Sequence, residues 1–345
     1  MKHQINPLTS TRAIAAIFVV IHHFGHDVYP FSKFAKFFHN GNVSVSYFFV
    51  LSGFVLYITY KDKHIQYSDY LKRRIGRIVP VYLLALFLFI CVVHHFPGYS
   101  FSHDSIIEII ISGLFLQAFI PHYPLTLNLP AWTISVEMFF YMLFPLFLLF
   151  QKRHIKGFIG TTVVLYVLSQ SFHLWSIPIK GSLGDNVIDT LFFNPVIHIN
   201  QFLIGMVGGY LFGKVSAPSP KYAWLSFLSF ILIILLIAFR PDNISYQVGL
   251  IAPVFMIFIL SIAASDPKFL NFKPLVFLGE ISYGIYILQF PVYYFLAFVN
   301  SKYTGIPDTY FFYIALCMLI LAASLSYLVF EKPLRDRINL IHQKR

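Results

Sequence analysis

Apolar runs of about twenty residues recur along this chain, and that recurrence limits its fold more than any single motif does. A bilayer core about 30 Å thick is crossed by roughly 20 apolar residues in a helix. Such runs fall at 11–29, 43–60, 78–96, 131–151, 157–173, 191–212, 223–239, 246–265, 275–298 and 309–330. Only 11% of the 345 residues are charged, against 58% hydrophobic. Soluble domains carry about 25% charge, so this chain lacks the polar surface to cover a core in water. A soluble enzyme, a nucleic-acid-binding domain, a disordered chain and a disulfide scaffold are excluded. The expected fold is all-α and polytopic: about ten transmembrane helices in one membrane domain, with a core over 5–335 and a basic tail over 336–345.

The net charge of +11 gathers in short loops, where topology and anionic lipid headgroups account for it without a nucleic-acid partner. Lys61, Lys63, Lys72, Arg73, Arg74 and Arg77 mark 61–77 as cytoplasmic, and Lys152, Arg153 and Lys156 mark the next basic loop. An even number of spans must separate the two. The apolar segment 106–121, which carries Glu108, is therefore expected to be re-entrant or interfacial. If it crossed, every later loop would invert. Both termini are then cytoplasmic. His22, His23 and His26 interrupt the first run, so it does not read as a cleaved signal. Cys91 and Cys317 lie in apolar runs and read as small hydrophobes.

Ionisable side chains inside spans are costly and by default mark function. Arg12 and His23 are eleven residues apart in the first run, three turns of an α-helix, on one face and about 16 Å apart in depth. That alignment suits a long anionic ligand with its reactive end inward; an anchoring cation and a packed imidazole fit the pair equally. Ser52-Gly53 reads first as a close helix contact, with Ser52 a candidate ligand donor. Arg74 and Arg77 share a helical face, and paired guanidiniums suit phosphate, although a topology signal has the same composition. Glu137 sits deep in an apolar helix and needs a partner. His23 is the expected one, with the carboxylate orienting the imidazole. Trp132 and Ser135 lie one turn earlier; Trp132 also suits an interfacial belt. Tyr283 and Tyr286 are one turn apart near Glu280. His198 reads as a satisfied interhelical hydrogen bond. No histidine has a Cys or carboxylate at metal-ligand spacing, so no metal is expected.

In order and spacing these elements resemble the acyltransferase-3 family of bacterial integral-membrane O-acyltransferases. The resemblance rests on Arg12 with His23, Ser52-Gly53-Phe54, Arg74 and Arg77 before Pro80, the Trp132, Ser135, Glu137 group, the Gly279-to-Tyr286 stretch and Phe330-Glu331-Lys332-Pro333. It implies transfer of an acyl group, usually acetyl, from cytoplasmic acyl-CoA to a hydroxyl on an extracytoplasmic glycan or lipid-linked saccharide, at the bacterial inner membrane. Acetyl-CoA would be a co-substrate, with no tightly bound cofactor. His23 would be the essential histidine, a general base or a transiently acylated group, and Arg12, Arg74 and Arg77 donor-handling cations. Ser52, Trp132, Ser135 and Tyr283 would contact substrate. Gln289 departs from the histidine that many members carry, and the chain resembles the type without a fused periplasmic domain. A transporter or flippase of a glycan or small anionic metabolite is the competing class, although no inverted repeat is visible.

Overall fold

The computed structural model describes residues 5–93, 103–215, 219–334 and 336–337. Most of the expected tail, from 338 onward, and the end of the expected span 78–96 lie outside them. Among the described residues the regular structure is helical throughout, with no strand. In chain order the helices are α1 (Asn6–Val20), α2 (Ala35–His39), α3 (Val43–Tyr60), α4 (Tyr67–Val93), α5 (His103–Gly113), α6 (Trp132–Arg153), α7 (Ile155–Ser176) and α8 (Asp185–Phe193). They continue with α9 (Pro195–Phe212), α10 (Pro220–Ala238), α11 (Ala252–Ser265), α12 (Lys273–Glu280), α13 (Ser282–Val299) and α14 (Asp308–Ser326).

Nine helical segments among the described residues are long and apolar enough to cross a bilayer. The tenth expected span is shorter than its apolar run. Gly249 sits at φ 99°, a left-handed conformation that glycine adopts without strain, and it turns the chain before α11 begins. The 14 residues of α11 rise about 21 Å. The segment 106–121 also holds a shorter helix. Its helix α5 has 11 residues, about 16 Å, and the chain then folds back through an irregular stretch to α6. In that stretch Phe115, His122 and Leu127 hold left-handed backbone. Gln117 donates to Tyr82 Oη and to the Ala131 carbonyl, both at 3.0 Å. The chain is a multi-pass membrane protein.

Two boundaries differ from those read in the sequence. The basic stretch before the third span is helix rather than loop: α4 runs unbroken for 27 residues, so Arg74 and Arg77 stand on the same rod as the apolar segment. Pro80 lies inside α4 rather than near its start. Helices within membrane bundles tolerate an interior proline because neighbouring groups satisfy the freed backbone. A second case shows how. Pro291 in α13 has no N–H for the Ile287 carbonyl one turn before it, and Asn128 Nδ2 donates to that carbonyl at 2.9 Å.

Close packing is built on glycine where the sequence suggested it. A Cβ on Gly53 would run into the Phe202 carbonyl, and a Cβ on Gly205 into the Val50 carbonyl. This reciprocal contact lets α3 and α9 meet backbone to backbone. By contrast, α7 and α10 expose Val164, Leu168, Trp224 and Leu228, an apolar surface that belongs against lipid rather than water.

Candidate active site

Helices α1, α3, α4, α6 and α13 line a partly open cavity of about 110 Å³. Its wall is divided. One part carries Arg12, Arg74, Arg77 and Glu137; the other is formed by Val45, Phe48, Phe49, Ile134 and Tyr286. Ser52 and Tyr283 also line it. The placement follows from the helices. Arg74 and Arg77 are one turn apart on α4 and face the same way. Glu137 is in the second turn of α6, and Tyr283 in the first turn of α13.

The three guanidiniums are held differently. Arg74 Nη2 donates to Tyr60 Oη at 3.2 Å. Its guanidinium carbon lies 5.6, 5.9 and 5.8 Å from the ring centres of Tyr60, Tyr70 and Tyr141. An arginine stacked among three aromatic rings is fixed in place by cation–π attraction. Among the described residues Arg12 and Arg77 have neither a hydrogen bond nor an ion pair within 4 Å. The single carboxylate among the lining residues, Glu137, accepts through Oε1 from Tyr141 Oη and, at 3.5 Å, from Ser52 Oγ, and it lies within electrostatic range of Arg12. Three cations against one anion leave the cavity positive. Two guanidinium forks inside the protein without partners are arranged for an anion that arrives from outside it. Tyr283 meanwhile ties α13 to α4, donating to the Ile78 carbonyl at 2.9 Å.

His23 is not on this wall. Helix α1 ends in a π-helical turn, Ile21–Gly25, and the wider turn changes the angular step between Arg12 and His23. The three regular turns counted from the sequence no longer hold. The His23 ring stands edge-on to Phe290 at 5.1 Å and 4.7 Å from His22. The expected pairing of His23 with Glu137 is therefore corrected, because Glu137 takes Tyr141 and Ser52 instead. Trp132 is neither in the cavity nor in a belt. It is 5% exposed, packed among Phe49, Phe193 and His198. Ser135 is buried on the opposite side of α6 from the cavity, and its Oγ has no partner among the described residues. Gln289 is buried too, donating to the Tyr286 carbonyl at 2.6 Å.

The acyltransferase-3 profile, described as an acyltransferase domain, matches residues 8–330. The chain belongs to the acyltransferase-3 family. It is 26% identical over 365 residues to the O-acetyltransferase OatA of Staphylococcus aureus strain NCTC 8325, an alignment covering 96% of this chain and 57% of OatA. It thus spans little more than half the length of that relative. It is also 26% identical over 298 residues to a protein of Acidianus two-tailed virus named "Putative acetyltransferase ORF330", with 81% of each chain covered. No solved structure matches.

In this family member, then, Arg12, Ser52, Arg74, Arg77, Glu137 and Tyr283 line one cavity, while His23, Trp132 and Ser135 are not among its lining residues. Sequence reasoning missed the tyrosines that hold the charges: Tyr141, Tyr60 and Tyr70. Tyr141 was within reach of a simple rule, since it lies four residues after Glu137 on the same helix face. Tyr60 and Tyr70 sit at the ends of separate helices, and nothing in their spacing marks them as neighbours. His198 is as expected: buried, with Nε2 2.9 Å from the Phe192 carbonyl in α8 and Nδ1 2.8 Å from Gln201 Nε2.

Proposed function

We propose that this protein is a membrane O-acetyltransferase of the bacterial inner membrane, with both termini cytoplasmic. It moves an acetyl group from cytoplasmic acetyl-CoA to a hydroxyl of an extracytoplasmic cell-envelope glycan. The observation that carries this reading is the cavity in which Arg12 and Arg77 have no hydrogen bond or ion pair among the described residues, beside a ring-clamped Arg74. Coenzyme A brings phosphates on a long arm, and guanidinium forks are the side chains best shaped to hold phosphate. The position of the arginines near the basic end of α4 supports a cytoplasmic mouth for the cavity, by the charge rule. The name of the OatA relative supports acetyl as the cargo and a hydroxyl oxygen as the acceptor atom.

The chemistry is ester formation. The acceptor oxygen bonds to the thioester carbonyl carbon, the carbon–sulfur bond breaks, and the hydroxyl proton passes to His23 and on to the coenzyme A thiolate. His23 acts as general base from the acceptor side, one helical turn of α13 beyond the cavity, and its ring is steadied by Phe290 rather than by a carboxylate. Arg12, Arg74 and Arg77 bind and orient the donor, and Glu137 fixes Tyr141 and Ser52 on the cavity wall. The aromatic enclosure limits access of water to the thioester.

The test uses the full chain purified into nanodiscs, radiolabelled acetyl-CoA and envelope glycans from a bacterium lacking the gene. Label in the glycan as a base-labile ester is the expected result. Glycan movement across the bilayer without label transfer would make the protein a transporter instead.

A further inference from the structure

The apolar end of the cavity is closed by side chains that hold one another in place. Tyr286 is 7% exposed and lines the cavity beside Thr133 at the start of α6, whose Oγ1 donates to the Pro130 carbonyl at 2.8 Å. Phe48 stands edge-on to the Tyr286 ring, with centroids 5.9 Å apart and planes at 70°. Phe48 has little freedom to swing aside, because the next residue, Phe49, is wedged among Trp132, Phe140 and His198 at 5.3 to 6.2 Å. Helix α13 is pinned above the same point, where Asn128 takes the carbonyl that Pro291 leaves free. One turn beyond Tyr286, Phe290 carries the His23 ring. Tyr286 on the cavity wall and Phe290 against His23 are thus one turn apart on α13.

We infer that Phe48 and Tyr286 are the residues that set the length of acyl group the enzyme accepts, restricting the donor to the shortest chains. The inference rests on the donor assignment above. For a thioester carbonyl to come within reach of His23, it must lie against these two rings. A methyl group fits there; each further methylene meets the Phe48 or the Tyr286 ring. Apolar walls of this kind discriminate by roughly tenfold or more per methylene. The arginines at the other end bind the part common to all coenzyme A thioesters and cannot tell one acyl group from another, so selectivity falls to the wall.

Turnover is measured with purified full-length protein in nanodiscs, following release of free coenzyme A thiol in the presence of glycan acceptor. Acetyl-, butyryl- and octanoyl-CoA are compared as donors. The wild-type protein should prefer acetyl to octanoyl strongly. Phe48→Ala should raise the octanoyl-to-acetyl ratio of kcat/KM by about tenfold or more. Tyr286→Leu, which removes the ring that Phe48 packs against, should shift the ratio in the same direction by less. Phe48→Leu serves if the alanine variant does not fold, and should admit butyryl before octanoyl. A wild-type protein that uses acetyl-CoA, with a chain-length profile unchanged in folded Phe48 and Tyr286 variants, overturns the inference and leaves the donor reading standing. A wild-type protein that releases thiol from none of the three donors overturns the donor reading, and the inference with it.

Discussion

Two clusters of polar side chains are buried in this protein, and they are built on opposite plans. Between α7, α8, α9 and the turn before α11, the polar groups are neutral and serve one another. His198 joins Phe192 and Gln201, Gln201 Nε2 also reaches the Gln247 carbonyl at 3.3 Å, and Gln247 Nε2 reaches the Phe192 carbonyl at 3.2 Å. Asn200 Nδ2 donates to Ser169 Oγ, and Gln170 Nε2 to the Val248 carbonyl. The amide nitrogens are used up inside the fold, while the Gln170, Asn200 and Gln201 amide oxygens have no partner among the described residues. In the cavity the groups are charged, and two of the three arginines have no partner among the described residues. A buried polar group satisfied internally acts as structural glue. A cation held inside a membrane protein without a partner is costly, and its persistence points to a ligand.

That contrast breaks or holds under substitution. The largest expected effect is on chemistry alone: His23→Ala should lower turnover by about 10²–10⁴-fold, the range of general-base catalysis, with donor affinity unchanged. Single-turnover kinetics beside equilibrium binding would separate the two. Next, Arg12→Ala or Arg77→Ala should each weaken acetyl-CoA binding by roughly 100-fold, since losing two charge-assisted hydrogen bonds to phosphate is worth about 3 kcal/mol. Their effect should shrink at high salt. His198→Ala should act in the reverse sense. It breaks two buried hydrogen bonds and opens a hole beside Trp132 and Phe49, so unfolding should cost about 2–3 kcal/mol less, read as a lower denaturation midpoint, with donor affinity unaltered. The smallest effect is expected from Glu137→Gln. The amide oxygen still accepts from Tyr141, while removal of the only carboxylate on the wall should tighten acetyl-CoA binding by about two- to fivefold. A collapse of turnover at unchanged affinity would instead restore a role for Glu137 in the proton transfer.

Much of this was legible in the residues. Length and hydropathy fix the helices, because the bilayer allows so few alternatives, and left-handed backbone at Phe115 interrupts 106–121 in keeping with a segment that turns back. Arg12, Arg74, Arg77 and Glu137 stand out because charge in an apolar run is rare. What the sequence did not carry was register. A π-helical turn after Val20 moves His23 off the face it would share with Arg12, and no composition signal announces it. The pairing of His23 with Glu137 failed for that reason, and because Tyr141, one turn along the same helix, supplies the carboxylate's partner at no cost in chain ordering. Trp132 was misplaced because a tryptophan at a helix start suits an interface as well as a core; only the arrival of Phe49, Phe193 and His198 from three other elements decides it.

Arg12 and Arg77 either hold the donor or they do not. Isothermal titration of coenzyme A into nanodisc-embedded wild-type protein, Arg12→Ala and Arg77→Ala measures this directly, without depending on the acceptor. Saturable wild-type binding that weakens by about two orders of magnitude in each variant, in folded protein, is the predicted result. Equal affinity in all three proteins would contradict it and reduce the arginines to markers of membrane topology.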